Sequence, residues 1–269
     1  NIMINSHKII LSCSTCIMCL FCGAVSLLCS AEKKPMPQEV LKQIQVLGDT
    51  ASAKRKDAAL VLGEIYRKNT KEKDTEAINE HIRSSILKYV HDPDKEVRRT
   101  VIQSLRNMKH PDTFRQLRQA LIQEDDPRVQ IVLIRTVGEL QDTGAEEMLM
   151  PYITHDQIPI RIAGITALGN LGTETAYQVV INSLQSRFEG IQIIAANICA
   201  DKGLTESLDL LIVNSTHPTA GVRVSAINAI GILGTHKVIR TLNNLQKKEK
   251  DPAVRDTIDT AISQIRLRK

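Results

Sequence analysis

Apolar residues return along this chain at a period of 31 or 32, each time in the same short phrase, an aliphatic residue followed by Arg or Gln. The phrase stands at Val97-Arg98, Val129-Gln130, Ile160-Arg161, Ile191-Gln192, Val222-Arg223 and Val254-Arg255. Counting from the aliphatic anchor, positions +4 and +8 are again small or apolar, as in Val101 and Leu105, Leu133 and Val137, Gly164 and Leu168, Ala226 and Ile230, and Ile258 and Ile262. A recurrence near four residues is one face of an α-helix; a strand would alternate every two. Self-similarity at a fixed period between about 20 and 50 residues marks a stacked repeat, so the architecture is readable before any single residue is interpreted.

Asp92-Pro93, Asp126-Pro127 and Asp251-Pro252 supply a capping carboxylate followed by a proline whose missing N–H is harmless at the first helical position, and His217-Pro218 is a weaker version. Gly63, Gly138, Gly169 and Gly231 fall at +9, where the lack of a side chain lets a neighbouring helix approach despite roughly 1 kcal/mol of lost helix propensity. After each anchor helix comes a polar or Gly-containing break and a second apolar run: Phe114 to Ile122, Met148 to Ile153, Ala176 to Leu184, Leu208 to Val213 and Val238 to Leu245. One unit is therefore a helical hairpin. A degenerate first unit anchors at Lys54-Arg55, with Ala58, Leu62 and Gly63 in register and a longer charged connection expected over Arg67 to Glu76. With a leading helix at Gln38 to Leu47 and a trailing one at Ala253 to Leu267, the pattern predicts six helical pairs and two end helices.

The phrase Asp-Pro-x-x-x-Val-Arg, then Ala/Val-Ile-x-x-Leu-Gly and a second helix, resembles the HEAT repeat, in the short form named after phycobilisome lyases. The resemblance covers residues 37 to 269 and implies an all-α fold, a right-handed α-solenoid of stacked hairpins. It further implies that the Arg after each anchor (Arg98, Arg161, Arg223, Arg255) pairs with a capping Asp of a neighbouring unit, for which Asp92, Asp126, Asp156 and Asp251 are available. Because each repeat buries its apolar face on its neighbours, residues 32–269 are expected to form one domain without an internal boundary.

Ahead of the repeats, Ile9 to Leu28 is uncharged, preceded by Lys8 and followed by Cys29-Ser30-Ala31. Residues 1–31 thus read as an export signal cleaved after Ala31, or, since the run is just long enough to span a bilayer, as an uncleaved anchor through residues 9–28. The destination expected is the periplasm or cell envelope. Cys13, Cys16, Cys19 and Cys22 share the spacing of an iron–sulfur ligand run, but the residues between them are apolar and no proline follows, so cysteine serves there as a small apolar residue. Past residue 31 only Cys199 remains; at +8 from Ile191 it fills a core slot and should be inert.

Composition narrows the chemistry. Aromatic residues are 3% of the chain with no Trp, and the formal charge is +5. His155 and His217 recur five residues before their anchors, yet two repeats separate them by roughly 20 Å, too far to share a metal. Among enzymes that the resemblance brings into view, deoxyhypusine hydroxylase-like proteins carry His-Glu iron ligands, and none of the seven histidines here precedes Glu. DNA glycosylases of this class use a basic groove with aromatic residues. Bilin lyases share the repeat type but act on cytoplasmic pigment proteins. No catalytic, cofactor or metal residue is assigned, no cofactor is expected, and the basic clusters lie at chain and helix ends, so no nucleic-acid partner is expected either. The resemblance implies a binding surface on the concave side, expected on the second helices, where Arg115, Arg118, Gln178, Asn182, Arg240, Asn243 and Asn244 stand between apolar positions. The reading is a non-catalytic scaffold that binds a protein partner, with a lyase-like enzyme and a nucleic-acid-binding solenoid as rivals.

Overall fold

The computed structural model describes residues 35–72, 75–141 and 143–268; the leader expected at residues 1–31, with its five cysteines, lies outside them. Every regular element among the described residues is helical. In chain order these are α1 (Gln38–Val46), α2 (Ser52–Asn69), α3 (Glu76–Leu87), α4 (Lys95–Met108), α5 (Asp112–Gln123), α6 (Pro127–Glu139), α7 (Glu146–Leu149), α8 (Ile158–Leu171), α9 (Glu174–Asn182), α10 (Glu189–Lys202), α11 (Leu208–Asn214), α12 (Ala220–Leu233), α13 (Ile239–Lys248) and α14 (Pro252–Leu267). The even-numbered helices from α2 to α12 each open a hairpin, giving the six pairs expected, with α1 leading and α14 trailing.

The six aliphatic anchors are all buried, as are Val101, Leu105, Leu133, Val137, Leu168, Ala226, Ile230, Ile258 and Ile262 at +4 and +8. This shared face stacks the anchor helices directly on one another, α2 on α4 and so on through α14. The +9 glycines explain how close the stack becomes: a Cβ at Gly138 would lie 2.5 Å from Ala167 Cα, and one at Gly231 would lie 2.9 Å from Ala261 Cβ. Gly63 meets Ser104 and Gly169 meets Ile198 in the same way, so in these four units +9 faces +7 of the next. Second helices pack on the anchor helix of the following unit, α3 on α4, α5 on α6, α9 on α10, α11 on α12 and α13 on α14. Among themselves they approach closely only where the 3-10 turn Ser183–Gln185 meets α11.

Three local expectations need correction. Asp126 and Asp251 are N-caps, each accepting from the backbone N–H groups two and three residues on, but at α4 the cap is Asp94, not Asp92. The helix starts at Lys95, so Pro93 stays outside it, and at α12 the cap is Thr219, with His217-Pro218 in the loop before it. The run Met148 to Ile153 is one turn of α-helix followed by a 3-10 segment Met150–Thr154, because Pro151 has no N–H to continue the α ladder. Finally, α2 runs on through Arg67 and Lys68 to Asn69, shortening the charged connection expected there.

Buried apolar residues form two clusters that meet inside α8, where Ala163, Ala167 and Leu168 belong to one and Ile165 to the other.

Candidate functional site

The most regular polar structure lies at the junctions between units. Two residues before each cap stands a side chain that accepts from the cap residue's own N–H: Asp49 from Ala51, Asp92 from Asp94, Glu124 from Asp126, His155 from Gln157, Ser186 from Phe188, His217 from Thr219 and Glu249 from Asp251. Where this acceptor is an acid and the preceding unit carries Arg after its anchor, the two pair in a fork. Arg55 donates to Asp92 at 2.8 and 2.7 Å, Arg98 to Glu124 at 2.8 Å twice, and Arg223 to Glu249 at 2.9 and 3.1 Å. The third nitrogen of each guanidinium donates back to loop carbonyls of its own unit, as Arg98 Nη1 does to Asp92 O at 2.9 Å. Glu124 raises the Arg98 pKa by its side-chain hydrogen bonds, and Asp92 does the same for Arg55. Burial pushes the Glu249 carboxyl up, but the Asp251 N–H and Arg223 outweigh it and hold the group below its ordinary value.

The expected Arg ladder therefore exists, with its partner shifted: the acid is the residue two before the cap, while Asp126 accepts from Lys95 at 3.1 Å and Asp156 is exposed. At two of the three junctions that lack an acid, the Arg is absent as well. Gln130 and Gln192 replace Arg at the two junctions whose acceptors are His155 and His217, so both histidines belong to loop capping. Arg161 donates to His155 O and lies 4.9 Å from the centroid of the Phe188 ring, which Arg187 also covers at 4.8 Å. Cys199 is fully buried and its thiol is pushed up to about 11 by burial, with a Ser207 hydrogen bond acting in the opposite sense.

The residues singled out as a partner surface divide among three second helices. Arg115 and Arg118 are on α5, Gln178 and Asn182 on α9, and Arg240, Asn243 and Asn244 on α13. Gln178 donates to Asn182 Oδ1 at 3.1 Å, and Asn182 also borders a cavity of about 290 Å3 reaching Arg161 and Ile191. The three groups lie in alternate hairpins, about 20 Å apart at ordinary helix spacing. In the hairpins between them the second helix is short.

A second strip, which the sequence pattern did not single out, runs along the anchor layer. At +2 stand Ile131, Ile162, Ile193 and Val224, all half-buried, and beside them at +6 Gln103, Arg135, Asn197 and Asn228, all exposed. Gly190 and Gly221 leave room for the isoleucine side chains: a Cβ there would sit 3.9 Å from Ile162 Cδ1 and 3.5 Å from Ile193 Cδ1. At its first end this strip opens into a cavity of about 410 Å3 between α2 and α4, lined by Glu64, Arg67, Gln103, Asn107 and Lys109 among others. The signal was present in the sequence as amides or cations recurring at +6, but the anchor helices were read for their buried face alone.

Comparison with known proteins agrees with this architecture. The family model for HEAT repeats matches residues 114–190. No curated protein matches the chain. Among solved structures, the complex of CpcE and CpcF of phycocyanin lyase from Nostoc sp. PCC7120 is similar at a TM-score of 0.51 and 16% identity, over 87% of this chain and 97% of that one. An engineered protein is similar at 0.49 and 19% identity, over 85% and 68%. Human deoxyhypusine hydroxylase is similar at 0.40 and 15% identity, over 86% and 85%. The family match and the first of these structural likenesses concern the fold of an α-helical repeat solenoid.

Proposed function

We propose that this chain is a non-catalytic scaffold that holds a protein partner along its anchor layer. The observation that carries this reading is the difference in spacing between the two layers. Anchor helices pack directly on each other through glycine and alanine, whereas second helices mostly do not reach their counterparts. A stack with one tight and one open layer bends toward the tight one, so the anchor strip lines the inner surface, where a solenoid offers its longest continuous contact. Its half-buried aliphatic ridge supplies apolar contact area, and the Gln, Asn and Arg side chains at +6 offer donors and acceptors at each layer to a polypeptide backbone and its carboxylates. The second-helix strip of Arg115, Arg118, Gln178, Asn182, Arg240, Asn243 and Asn244 is the alternative surface, and in this reading it faces outward.

In the same proposal residues 1–31 direct export and the scaffold works in the cell envelope; a reporter enzyme active only after export, fused behind residue 31, tests this by gaining activity. No helix among the described residues is long and apolar enough to cross a membrane.

The test is cross-linking capture from an envelope fraction with three proteins: residues 32–269, an Arg135→Glu, Asn197→Lys, Asn228→Lys variant, and an Arg115→Glu, Arg118→Glu, Arg240→Glu variant. A partner lost only from the first variant supports the inner strip. Loss only from the second moves the site to the outer layer, and a coloured or metal cofactor copurifying with the wild-type chain would overturn the non-catalytic reading in favour of a lyase-like enzyme.

A further inference from the structure

Of the four ladder arginines that have a further unit beyond them, Arg55, Arg98 and Arg223 fork a carboxylate of that unit and Arg161 does not. The residue two before the next cap is here Ser186. It performs one of the two tasks of the missing acid, accepting from the Phe188 N–H at 3.2 Å, but has no carboxylate to offer the guanidinium. A serine is also shorter than Glu124 or Glu249, and at this junction lies a cavity of about 290 Å3 that Arg161 and Ser186 both line.

The guanidinium presents itself differently as well. At the acidic junctions Nε and Nη2 donate to the carboxylate and Nη1 to loop carbonyls, as in Arg98. In Arg161, Nε and Nη2 donate instead to His155 O of its own unit, at 2.9 and 2.6 Å, and Nη1 has no partner among the described residues. Arg187 shares the Phe188 ring with Arg161, so two guanidiniums stand together without a carboxylate between them. No acid lines the cavity. Two further donors border it: the Ser186 hydroxyl, and Asn182, whose Oδ1 already accepts from Gln178 and whose amino group is left to give. The rest of the wall includes the aliphatic side chains of Ile153, Ile165 and Val179.

An acceptor with two oxygens, a negative charge and an apolar tail answers all of these features at once. Guanidinium–carboxylate bonds are stronger than neutral ones, and aliphatic surface gains by leaving water. We infer that this cavity binds a carboxylate with a short aliphatic body, its oxygens accepting from Arg161 and Ser186 where Glu124 and Glu249 stand at other junctions, and its tail against Ile153, Ile165 and Val179. Such a group is found on a small branched acid and on the carboxyl terminus of a polypeptide that ends in an aliphatic residue. The cavity shares no residue with the inner strip, so the inference does not depend on the proposed scaffold surface.

The probe is 3-methylbutanoate, titrated to about 20 mM at constant ionic strength against the isotope-labelled protein while the Arg161 Nε–H and the Ser186 and Phe188 amide resonances are followed. Saturable shifts are expected. The neutral isostere 3-methylbutanamide should bind at least tenfold more weakly, and acetate, which lacks the tail, several-fold more weakly. Arg161→Gln, which installs the residue type that Gln130 and Gln192 supply at the same position of their units, should weaken the probe at least tenfold. Ser186→Glu writes the ladder acid back into the chain and should abolish binding by occupying the site. An N-acetylated Gly-Ser-Leu peptide with a free carboxyl terminus that binds as well as 3-methylbutanoate assigns the site to a polypeptide terminus; one that fails to bind assigns it to a small acid. No saturable shift in the wild-type protein, equal binding of the amide, or undiminished binding by either variant would overturn the inference, leaving Arg161 as a clamp on its own loop.

Discussion

Glu124 accepts from a guanidinium of the unit before it and from the backbone N–H of the cap that follows it, so one side chain both joins two hairpins and starts a helix. Its side chain is 6% exposed and that of Arg98 18%, so removing either partner strands a desolvated charge. Glu124→Ala is expected to cost about 3 kcal/mol in chemical denaturation, and the Arg98→Gln, Glu124→His double variant, which installs the residue types of the Gln130 and Gln192 junctions, should recover most of it. Acid acts on the same machinery. The Asp94 carboxyl is lowered first by a Ser52 hydrogen bond and then by backbone N–H groups; Asp126 is raised by burial but lowered more by Lys95 and its capped N–H groups. A folded pKa below the unfolded one gives stability that is whole above the ordinary carboxylate value of about 4 and lost as pH falls through the depressed value. The melting temperature should thus hold level from pH 8 to about 5 and fall steeply below about 4. Cys199, with its thiol raised to about 11, should resist iodoacetamide at pH 8 in the folded protein and react on denaturation, as mass spectrometry would show. Its burial was legible from position +8 alone. The true ladder partner was not, because an acid two residues before a cap and the capping Asp itself look alike until a guanidinium is seen to choose between them.

At the level of elements, the glycines separate packing from propensity. Gly138→Ala drives a methyl group to within 2.5 Å of backbone at Ala167 and should destabilise by about 1–3 kcal/mol. Gly221→Ala, in the first turn of α12 with only ordinary contact to Ile193, should be neutral or stabilise by up to about 1 kcal/mol through helix propensity. The thermal melt of Gly138→Ala should fall, and that of Gly221→Ala should hold level or rise. Helix positions were readable because the core-facing period repeats six times and averages out local noise. Helix starts were read less well: at Asp92-Pro93-Asp94 two aspartates compete, and only the constant cap-to-anchor spacing of three residues, shared with Asp126 and Val129 and with Asp251 and Val254, picks Asp94. Short second helices such as α7 were over-read, since an apolar run does not reveal where a proline turns it into a 3-10 segment.

Across the whole molecule, neighbour-only packing means that stability accumulates along the stack. Deleting residues 252–269 strips α14 from α12 and uncovers Ile230 and Gly231, so the shortened chain should keep the helical circular-dichroism signal of the remaining hairpins, bind more apolar dye and unfold at lower denaturant. The proposed binding surface was the least legible part of the molecule. A sequence pattern marks which residues are buried within one hairpin, but which layer is inner depends on how closely successive hairpins approach, a property of pairs of units. The junctions also set a rule for rearranging the chain. Arg meets acid at three of them and an aromatic ring at one, while at the other two Gln130 turns back to Glu124 O and Gln192 Oε1 has no hydrogen-bond partner, so four interfaces carry a matched plug and socket. Hairpins can trade places only when both of their ends match: moving the hairpin of Arg98 into the place of the one holding Gln130 would set a guanidinium against His155, and the order of the repeats is thereby written into the repeats themselves.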